Sequence, residues 1–536
     1  MLKRLFRSQA KTVTFAALIL GASALISRLL GLVRDRLLAG QFGAGEELDV
    51  YFAAFRIPDF IYGILITGGI SVIFLPVFSE YFKKSEEDGW RLASNVLNCF
   101  LVLLIVACGI LAIFTPWLIQ LITPGFNPEQ KALAVSLTRI MFLSPIFFGL
   151  SSVFSGVLHY FNRFLAYSIA PILYNLSIIF GILFFVPIFG IWGLVYGVIL
   201  GTILYWVIQI PAARHVGFKY LRIFDFKSSG LEKIFKLMIP RVVGTSVYHI
   251  NLIIITAIAS TLTVGSITIF NFANNLQYFP IGIVGASFAL ASFPTLSRAW
   301  VNGQKQEFLE NFSSVFRQIL FLVIPVSLLL FLLRAQIVRL VLGTGQFGWL
   351  ETRLTAAVLG LFCFGIFATA SIPFLARVFY SFQNTKTPVA ISLASMGLNI
   401  LLCFLFVWLF GFPNLFQGFI VNVLELGGIE NISVIGLPLA LSISGIFQFC
   451  LLLFFLRKKL GHIRLKEIYH SFLKIILASI LMSILVYLVL QIFAGTLIQT
   501  VSASLSGVFV YFLAARILKS SEIGTIKLSI LKQFIK

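Results

Sequence analysis

Residues 92–115 read LASNVLNCFLVLLIVACGILAIFT, a stretch without a charged side chain. A membrane-spanning helix needs about 20 predominantly apolar residues, so this stretch is long enough to cross a bilayer. The whole 536-residue chain has the same character, because 59% of it is hydrophobic, 15% aromatic and only 11% charged. Soluble domains carry about 25% charged residues. The composition therefore predicts an all-α protein embedded in lipid, and it argues against most soluble enzymes, DNA-binding proteins and β-barrels.

Apolar runs separated by charges, Gly, Pro or Asn divide the chain into fourteen predicted spans. These spans cover residues 14–42, 49–80, 92–115, 133–157, 164–186, 188–211, 232–259, 265–296, 310–333, 353–380, 387–411, 432–456, 468–492 and 497–518. An even number of spans places both termini on one side of the membrane. Lys and Arg, which outnumber Asp and Glu by 40 to 19, concentrate in the loops of that side. The positive-inside rule then predicts cytoplasmic termini, and the basic excess favours anionic membrane lipids as partners over nucleic acid.

Short motifs recur in the same order in the two parts of the chain. Residues 27–31 (SRLLG) resemble 240–244 (PRVVG), 75–80 (LPVFSE) resemble 293–298 (FPTLSR), and 160–163 (YFNR) weakly resemble 381–384 (SFQN). Two parallel lobes around a midplane site are typical of transporters. The predicted organisation is a six-helix lobe at 1–211, a basic cytoplasmic linker at 212–231, a second six-helix lobe at 232–456, and spans 13 and 14 with a cytoplasmic tail at 457–536.

Span 1 carries charged side chains inside a segment that should lie in lipid, among them Arg28, Arg34 and Asp35. An Arg at the centre of a membrane helix costs about 2.5–3.5 kcal/mol, so it should face a cavity or a partner. At 100° per residue, Arg28 and Asp35 share one face, and Arg34 lies on another about 120° away. Such a broad charged surface is typical of a helix that lines a wide aqueous cavity.

Span 2 adds Arg56 between Asp49 and Asp59, next to Pro58. Two interpretations remain open. In the first, acids of spans 1 and 2 simply neutralise the arginines. In the second, the arginines form an anion site, because guanidinium groups bind phosphate oxygens bidentately and a cavity of low dielectric strengthens the contact.

No residue pattern indicates catalysis or a cofactor. The five Cys lie in apolar runs without C-x-x-C spacing, the His residues form no H-x-x-x-H pair, and no Gly-rich phosphate loop occurs. Few acids are available for general acid–base work. We therefore predict no metal, no cofactor and no enzymatic activity. The Asn residues within spans, such as Asn175, are predicted to form interhelical hydrogen bonds.

Residues 27–35 (SRLLGLVRD) followed by 49–58 (DVYFAAFRIP) resemble the MurJ/MviN family of lipid II flippases. That family belongs to the multidrug/oligosaccharidyl-lipid/polysaccharide exporter superfamily. The resemblance continues through Pro and Gly landmarks to 379–388 (FYSFQNTKTP) and covers about residues 10–518. It implies a bacterial plasma-membrane protein that moves undecaprenyl-pyrophosphate-linked peptidoglycan precursor from the inner to the outer leaflet by alternating access, as the two lobes rock.

The same resemblance implies that Arg28 and Arg34 engage the pyrophosphate. We predict that Arg56 assists and that Asp35 belongs to the same substrate-binding site. Substrate-binding candidates on other spans are Arg241, Asn274 and Asn275. The chain departs from the family pattern where basic residues are expected, at Tyr62 and Gly63 in span 2 and at Asn274 and Asn275 in span 8, and where some members carry aspartates, at Ile255 and Asn384. We therefore regard it as a divergent member.

Other functions remain open at this point. A flippase for another polyprenyl-linked glycan fits the departures as well as lipid II does. A drug/cation antiporter of the same superfamily would need carboxylates in a cavity whose charge is here mainly positive, and a polyprenyl-dependent glycosyltransferase or ligase would need paired acids and a larger outer domain. A non-transporting scaffold for the cell-wall synthesis machinery is a further alternative.

Overall fold

The computed structural model describes the backbone of residues 13–524, and their side chains apart from those of 13–18, 67–69, 71–72, 240 and 243. Within this range the chain is helical and contains no β-strand, which confirms the predicted all-α class. Ten of the described helices are long and apolar enough to cross a membrane, or twelve if each of two bent pairs is one span. The protein is therefore a multi-pass membrane protein, whereas the number of fourteen spans stays a prediction.

The chain forms two compact units, of which the first is Met1–Ile267. Two π-helical segments, Tyr62–Ile70 and Gly181–Phe185, interrupt its α-helices. The helices are α1 Val13–Phe42, α2 Glu46–Ile61, α3 Ser71–Lys84, α4 Glu86–Ile122, α5 Pro128–Met141, α6 Leu143–Tyr160, α7 Phe164–Phe180, α8 Val186–Phe189, α9 Trp192–Val207, α10 Ile210–His215 and α11 Ser229–Ser260.

The second unit is Thr268–Lys536, and the boundary between the units falls inside α12. This unit contains a third π-helical segment, Ile281–Gly285, and a 3-10 turn, Ser433–Ile435. The helices are α12 Ser266–Pro280, α13 Ala286–Val301, α14 Lys305–Leu332, α15 Arg334–Val341, α16 Trp349–Cys363, α17 Ile366–Ser381, α18 Lys386–Phe410, α19 Leu415–Leu424, α20 Gly436–Leu460, α21 Leu465–Ile492 and α22 Thr496–Ile517.

The first unit includes α11, which the sequence repeat assigns to the second lobe. This helix packs against the π-helical segment Tyr62–Ile70 and against α2, α3 and α4. Contacts in space place α11 in the first unit. The repeat is instead defined by the order of motifs along the chain, so the two divisions can differ at α11. The predicted lobe boundaries are therefore not tested by this division and stay a prediction.

Local backbone geometry recurs at repeat-related positions. The turns after α6 and α17 place Asn162 (φ 54°) and Gln383 (φ 60°) in the left-handed region, which is rare for residues other than Gly. In both turns the next amide N–H donates to the carbonyl five residues earlier, at 2.9 and 3.0 Å, as in a Schellman cap. The π-helical segments Tyr62–Ile70 and Ile281–Gly285 also occupy corresponding spans, the second and the eighth. The same cap also follows α19 and α22, at Glu425 and Lys519, so these matches agree with the predicted repeat but do not test it.

A stripe of glycines allows α9 to approach the chain that precedes it. Gly193, Gly197 and Gly201 repeat every fourth residue and share one helical face. A Cβ atom at Gly197 would lie 3.0 Å from the Cα of Gly181, and one at Gly193 would lie 2.4 Å from the carbonyl carbon of Phe185. Small residues at fourfold spacing permit close packing in lipid, where the hydrophobic effect does not drive helices together.

Replacing Gly197 by Leu should separate these helices, because the added side chain would occupy the position of the neighbouring backbone. Overpacking costs about 1–3 kcal/mol or more, so thermal unfolding of the detergent-purified protein should begin at a lower temperature. Gly109 is the control, because no atom lies within 4 Å of its Cβ position on α4. Equal melting temperatures for Gly197→Leu and Gly109→Leu would contradict the packing role.

In the second unit, a buried carboxylate holds the segment after α22 against two other helices. Glu522 is 2% exposed, and its Oε1 accepts hydrogen bonds from Arg317 Nη1 on α14 (3.0 Å) and from Ser471 Oγ on α21 (2.9 Å). Burial alone raises the pKa of Glu522, but the hydrogen bonds from Ser520 and Ser471 and the charge of Arg317 together hold it below its usual value. The C-terminal helix pair is thus tied to the rest of its unit.

Candidate functional site

Arg34 on α1 is held by two partners within the first unit. Its Nε and Nη2 donate to Asp35 Oδ1 at 3.0 and 2.8 Å, and its Nη1 donates to Asn175 Oδ1 on α7 at 3.3 Å. The side chain remains 24% exposed, against 5% for that of Asp35. This ion pair agrees with the interpretation in which neighbouring acids neutralise Arg34, and the anion site stays a prediction. These three bonds use three of the five N–H groups of the guanidinium, so donors remain for a further anion.

Asn175 connects α7 to α1 and orients Arg34. Its Nδ2 donates to the carbonyl and to the hydroxyl of Ser27, at 3.2 and 3.1 Å. The side-chain amide of Asn175 thus donates to Ser27 and accepts from Arg34, two residues that lie about two turns apart on α1. Gly31 lies between them, and a Cβ there would be 3.9 Å from Asn175 Oδ1. This geometry confirms the predicted interhelical hydrogen bond of Asn175.

Arg56 on α2 forms a hydrogen bond with a residue of α11. Its Nε donates to Thr256 Oγ1 at 2.7 Å, and that hydroxyl donates to the Leu252 carbonyl at 2.9 Å. Asp59, one helical turn after Arg56, interacts electrostatically with both Arg56 and Arg34. The charges of Arg56 and Arg34, on different spans, thus both act on the Asp59 carboxylate within the first unit.

Asp49 binds a backbone amide, an arrangement that the sequence did not reveal. The side chain is 4% exposed, and its Oδ2 accepts from the Gly265 N–H at 2.7 Å. Gly265 has φ +88°, and a Cβ there would lie 2.2 Å from the Ala44 carbonyl oxygen. Asp49 thus fastens the start of α2 to the loop after α11. The sequence does not indicate this bond, because its acceptor and donor are 216 residues apart and the donor carries no side chain.

The other candidate residues are partly or fully exposed. Arg28 on α1 is partly exposed and Arg241 on α11 is exposed, both in the first unit. Asn274 and Asn275 lie on α12 in the second unit and are partly exposed, and Asn274 Oδ1 accepts from Gln277 Nε2 at 2.9 Å. A shared role of these four residues with Arg34 stays a prediction.

A sequence profile described as lipid II flippase MurJ matches residues 38–509. The chain belongs to the MurJ family. A probable lipid II flippase MurJ of Buchnera aphidicola is 34% identical over 70% of this chain and 75% of its own length. A probable lipid II flippase MurJ of Vibrio cholerae is 31% identical, over 76% of this chain and 80% of its own. Such relatives and the apolar helices make this chain a multi-pass protein of the bacterial inner membrane.

Solved structures agree with the membership in the MurJ family. A lipid II flippase MurJ in an inward closed conformation matches 94% of this chain and 100% of its own, with a TM-score of 0.77 and 26% identity. An inward-facing multidrug resistance MATE family transporter matches 82% of this chain and 95% of its own, with a TM-score of 0.68 and 14% identity. The second likeness shows a common fold alone, so it does not favour drug transport.

The Asp49 contact predicts a measurable loss of stability. In Asp49→Ala the Gly265 N–H loses its acceptor in a buried position, which costs about 1–3 kcal/mol. Asp49→Asn retains an acceptor oxygen and should fall between Ala and the wild type. Glu47 is exposed in the same first turn, so Glu47→Ala is a control expected to change stability by less than about 0.5 kcal/mol. Thermal unfolding in detergent measures all three, and a stable Asp49→Ala variant would contradict the role of the contact.

Proposed function

We propose that this protein is a lipid II flippase that moves undecaprenyl-pyrophosphate-linked peptidoglycan precursor from the inner to the outer leaflet by alternating access. The observation that carries the proposal is a partly exposed Arg34 inside a membrane segment, in a chain that belongs to the MurJ family over most of its length. Both termini lie in the cytoplasm, as the distribution of Lys and Arg indicates. No covalent step is required, so the protein is a transporter and not an enzyme.

The diphosphate of the lipid docks on Arg34 and Arg28, and Arg56 assists. Arg28 lies six residues before Arg34, about 9 Å along the helix axis, so two long guanidinium side chains can reach one diphosphate. Asp35 and Asn175 fix the position of the Arg34 guanidinium, which reduces the entropy lost on binding. The acids Asp35 and Asp59 also lower the net positive charge, which allows the bound head group to leave again.

A flippase for another polyprenyl-linked glycan is the second candidate, and Tyr62 favours it. This residue stands where the family resemblance implies a basic side chain, and its ring instead packs against Phe148 with a centroid distance of 4.6 Å. Arginines recognise the diphosphate that such lipids share and not their sugars. Complementation of a bacterium depleted of its own lipid II flippase separates the two candidates, because growth requires lipid II transport itself.

Replacing Arg28 and Arg34 together by Ala should abolish transport in proteoliposomes loaded with lipid II. Each hydrogen bond from a charged group contributes about 1.5–3 kcal/mol, so loss of one from each arginine should lower the rate by more than about a hundredfold. Arg36 is the control, because it is exposed on the same helix and Arg36→Ala removes one charge outside the proposed site. Retained transport by a correctly inserted double variant would reject the anion site.

The membrane potential should drive export of the anionic head group. Outward transfer of a net charge of about −2 is favoured by roughly 4.6 kcal/mol per 100 mV when the inside is negative and no other charge moves. We therefore expect faster lipid II translocation in proteoliposomes with an inside-negative potential than after its collapse or reversal. A rate independent of the imposed potential would reject the membrane potential as the driving force.

A further inference from the structure

The linker between α10 and α11 runs along α4 without helical structure at residues 218–228, and we name these residues the strap. Three polar side chains on one face of α4 bind its backbone, namely Ser94, Asn95 and Asn98. The bonds are Leu221 N to Ser94 Oγ (3.0 Å), Asp225 N to Asn95 Oδ1 (2.7 Å), Asn95 Nδ2 to Asp225 O (2.7 Å) and Asn98 Nδ2 to Ile223 O (2.8 Å). Side chains of α4 thus form hydrogen bonds with backbone N–H and C=O groups of the strap.

The outer surface of the strap combines aromatic and basic side chains. Tyr220 is 55% exposed, Phe224 55% and Phe226 47%. The basic residues Lys219, Arg222 and Lys227 are exposed as well. The acid of the strap, Asp225, already accepts a hydrogen bond from the Lys227 amide at 2.8 Å. Large exposed aromatic side chains beside several positive charges are costly in bulk water but are typical of a membrane–water interface.

The exposed apolar residues of α4 locate the strap relative to the bilayer. They begin at Val102 and continue to Leu121, which corresponds to about 29 Å of helix and matches a hydrocarbon core of about 30 Å. Asn98 lies about 6 Å before Val102 along the axis, and Asn95 about 10 Å before it. The polar headgroup layer on each side is about 5–8 Å deep, so Asn98 lies within it and Asn95 lies just beyond it. The strap therefore lies at the outer edge of the headgroup layer.

We propose that the strap is a binding surface for anionic phospholipid headgroups of the cytoplasmic leaflet. The rings of Phe224 and Phe226 insert between headgroups, whereas the Tyr220 hydroxyl donates to Asn98 Oδ1 on α4 at 3.0 Å. Lys219, Arg222 and Lys227 contact the lipid phosphates. Each basic residue near an anionic membrane surface contributes about 1 kcal/mol, which corresponds to about fivefold in lipid association. The strap thereby holds the linker that joins α10 to α11 against the membrane. This inference does not depend on the proposed transport function.

Photo-crosslinking in lipid nanodiscs tests the proposal with the full-length protein. Phe224 is replaced by the photoreactive analogue benzoylphenylalanine, in nanodiscs of phosphatidylglycerol and phosphatidylcholine in equal amounts. We expect lipid adducts at this position, enriched in phosphatidylglycerol. Glu87 is the depth control, because it is exposed on the same helix but lies about 22 Å before Val102 and outside the headgroup layer. Lipid adducts at position 224 that are no more frequent than at position 87 would overturn the proposal.

The contribution of charge is tested by adding Arg222→Gln to the photoreactive variant. The ratio of phosphatidylglycerol to phosphatidylcholine adducts at position 224 should then fall about fivefold. Arg91→Gln is the matched control, because Arg91 is exposed on α4 about 17 Å before Val102 and should leave the ratio unchanged. An equal ratio in all three proteins would show that the strap does not select anionic lipid. Adducts to other parts of the protein alone would show that it packs inward.

Discussion

A guanidinium group in a membrane segment must be neutralised or hydrated, and the first unit is arranged around this requirement for Arg34. Its immediate neighbour Asp35 supplies the counter-charge, and Asn175 of α7 supplies a neutral acceptor. Because the same Asn175 amide also binds α1 at Ser27, the bonds that stabilise the charge also set the packing of α1 on α7. Binding geometry and helix packing are therefore coupled in this unit.

Irregular helix geometry lies next to these charges. The π-helical segment Tyr62–Ile70 begins one turn after Asp59, and α11 packs against it. A Cβ atom at Gly63 would lie 1.8 Å from His249 Nε2, so the absence of a side chain there is necessary for this contact. π-Helical segments within α-helices are frequent at functional sites. The second span thus has a built-in point of deformation beside its charged residues.

The sequence predicted those features that depend on the order of residue types along the chain. Apolar runs gave helices that overlap every predicted span, and the family resemblance was carried by charged motifs such as 27–35. The pairing of Arg34 with Asp35 was one of two open interpretations, and adjacency in sequence made it easy to anticipate. The Asp49–Gly265 bond and the attachment of the strap to α4 could not be anticipated, because they join side chains to distant backbone groups. A backbone amide has no signature in the sequence of amino acids.

The paired left-handed residues Asn162 and Gln383 have a consequence for the history of the chain. The residues around them have largely diverged, yet both turns retain the same backbone conformation and the same hydrogen bond. Duplication of an ancestral gene would leave such agreement, since backbone geometry changes more slowly than side-chain identity. A repeated block with the predicted even number of spans would enter the membrane twice in the same direction, so no reversal of insertion would be needed.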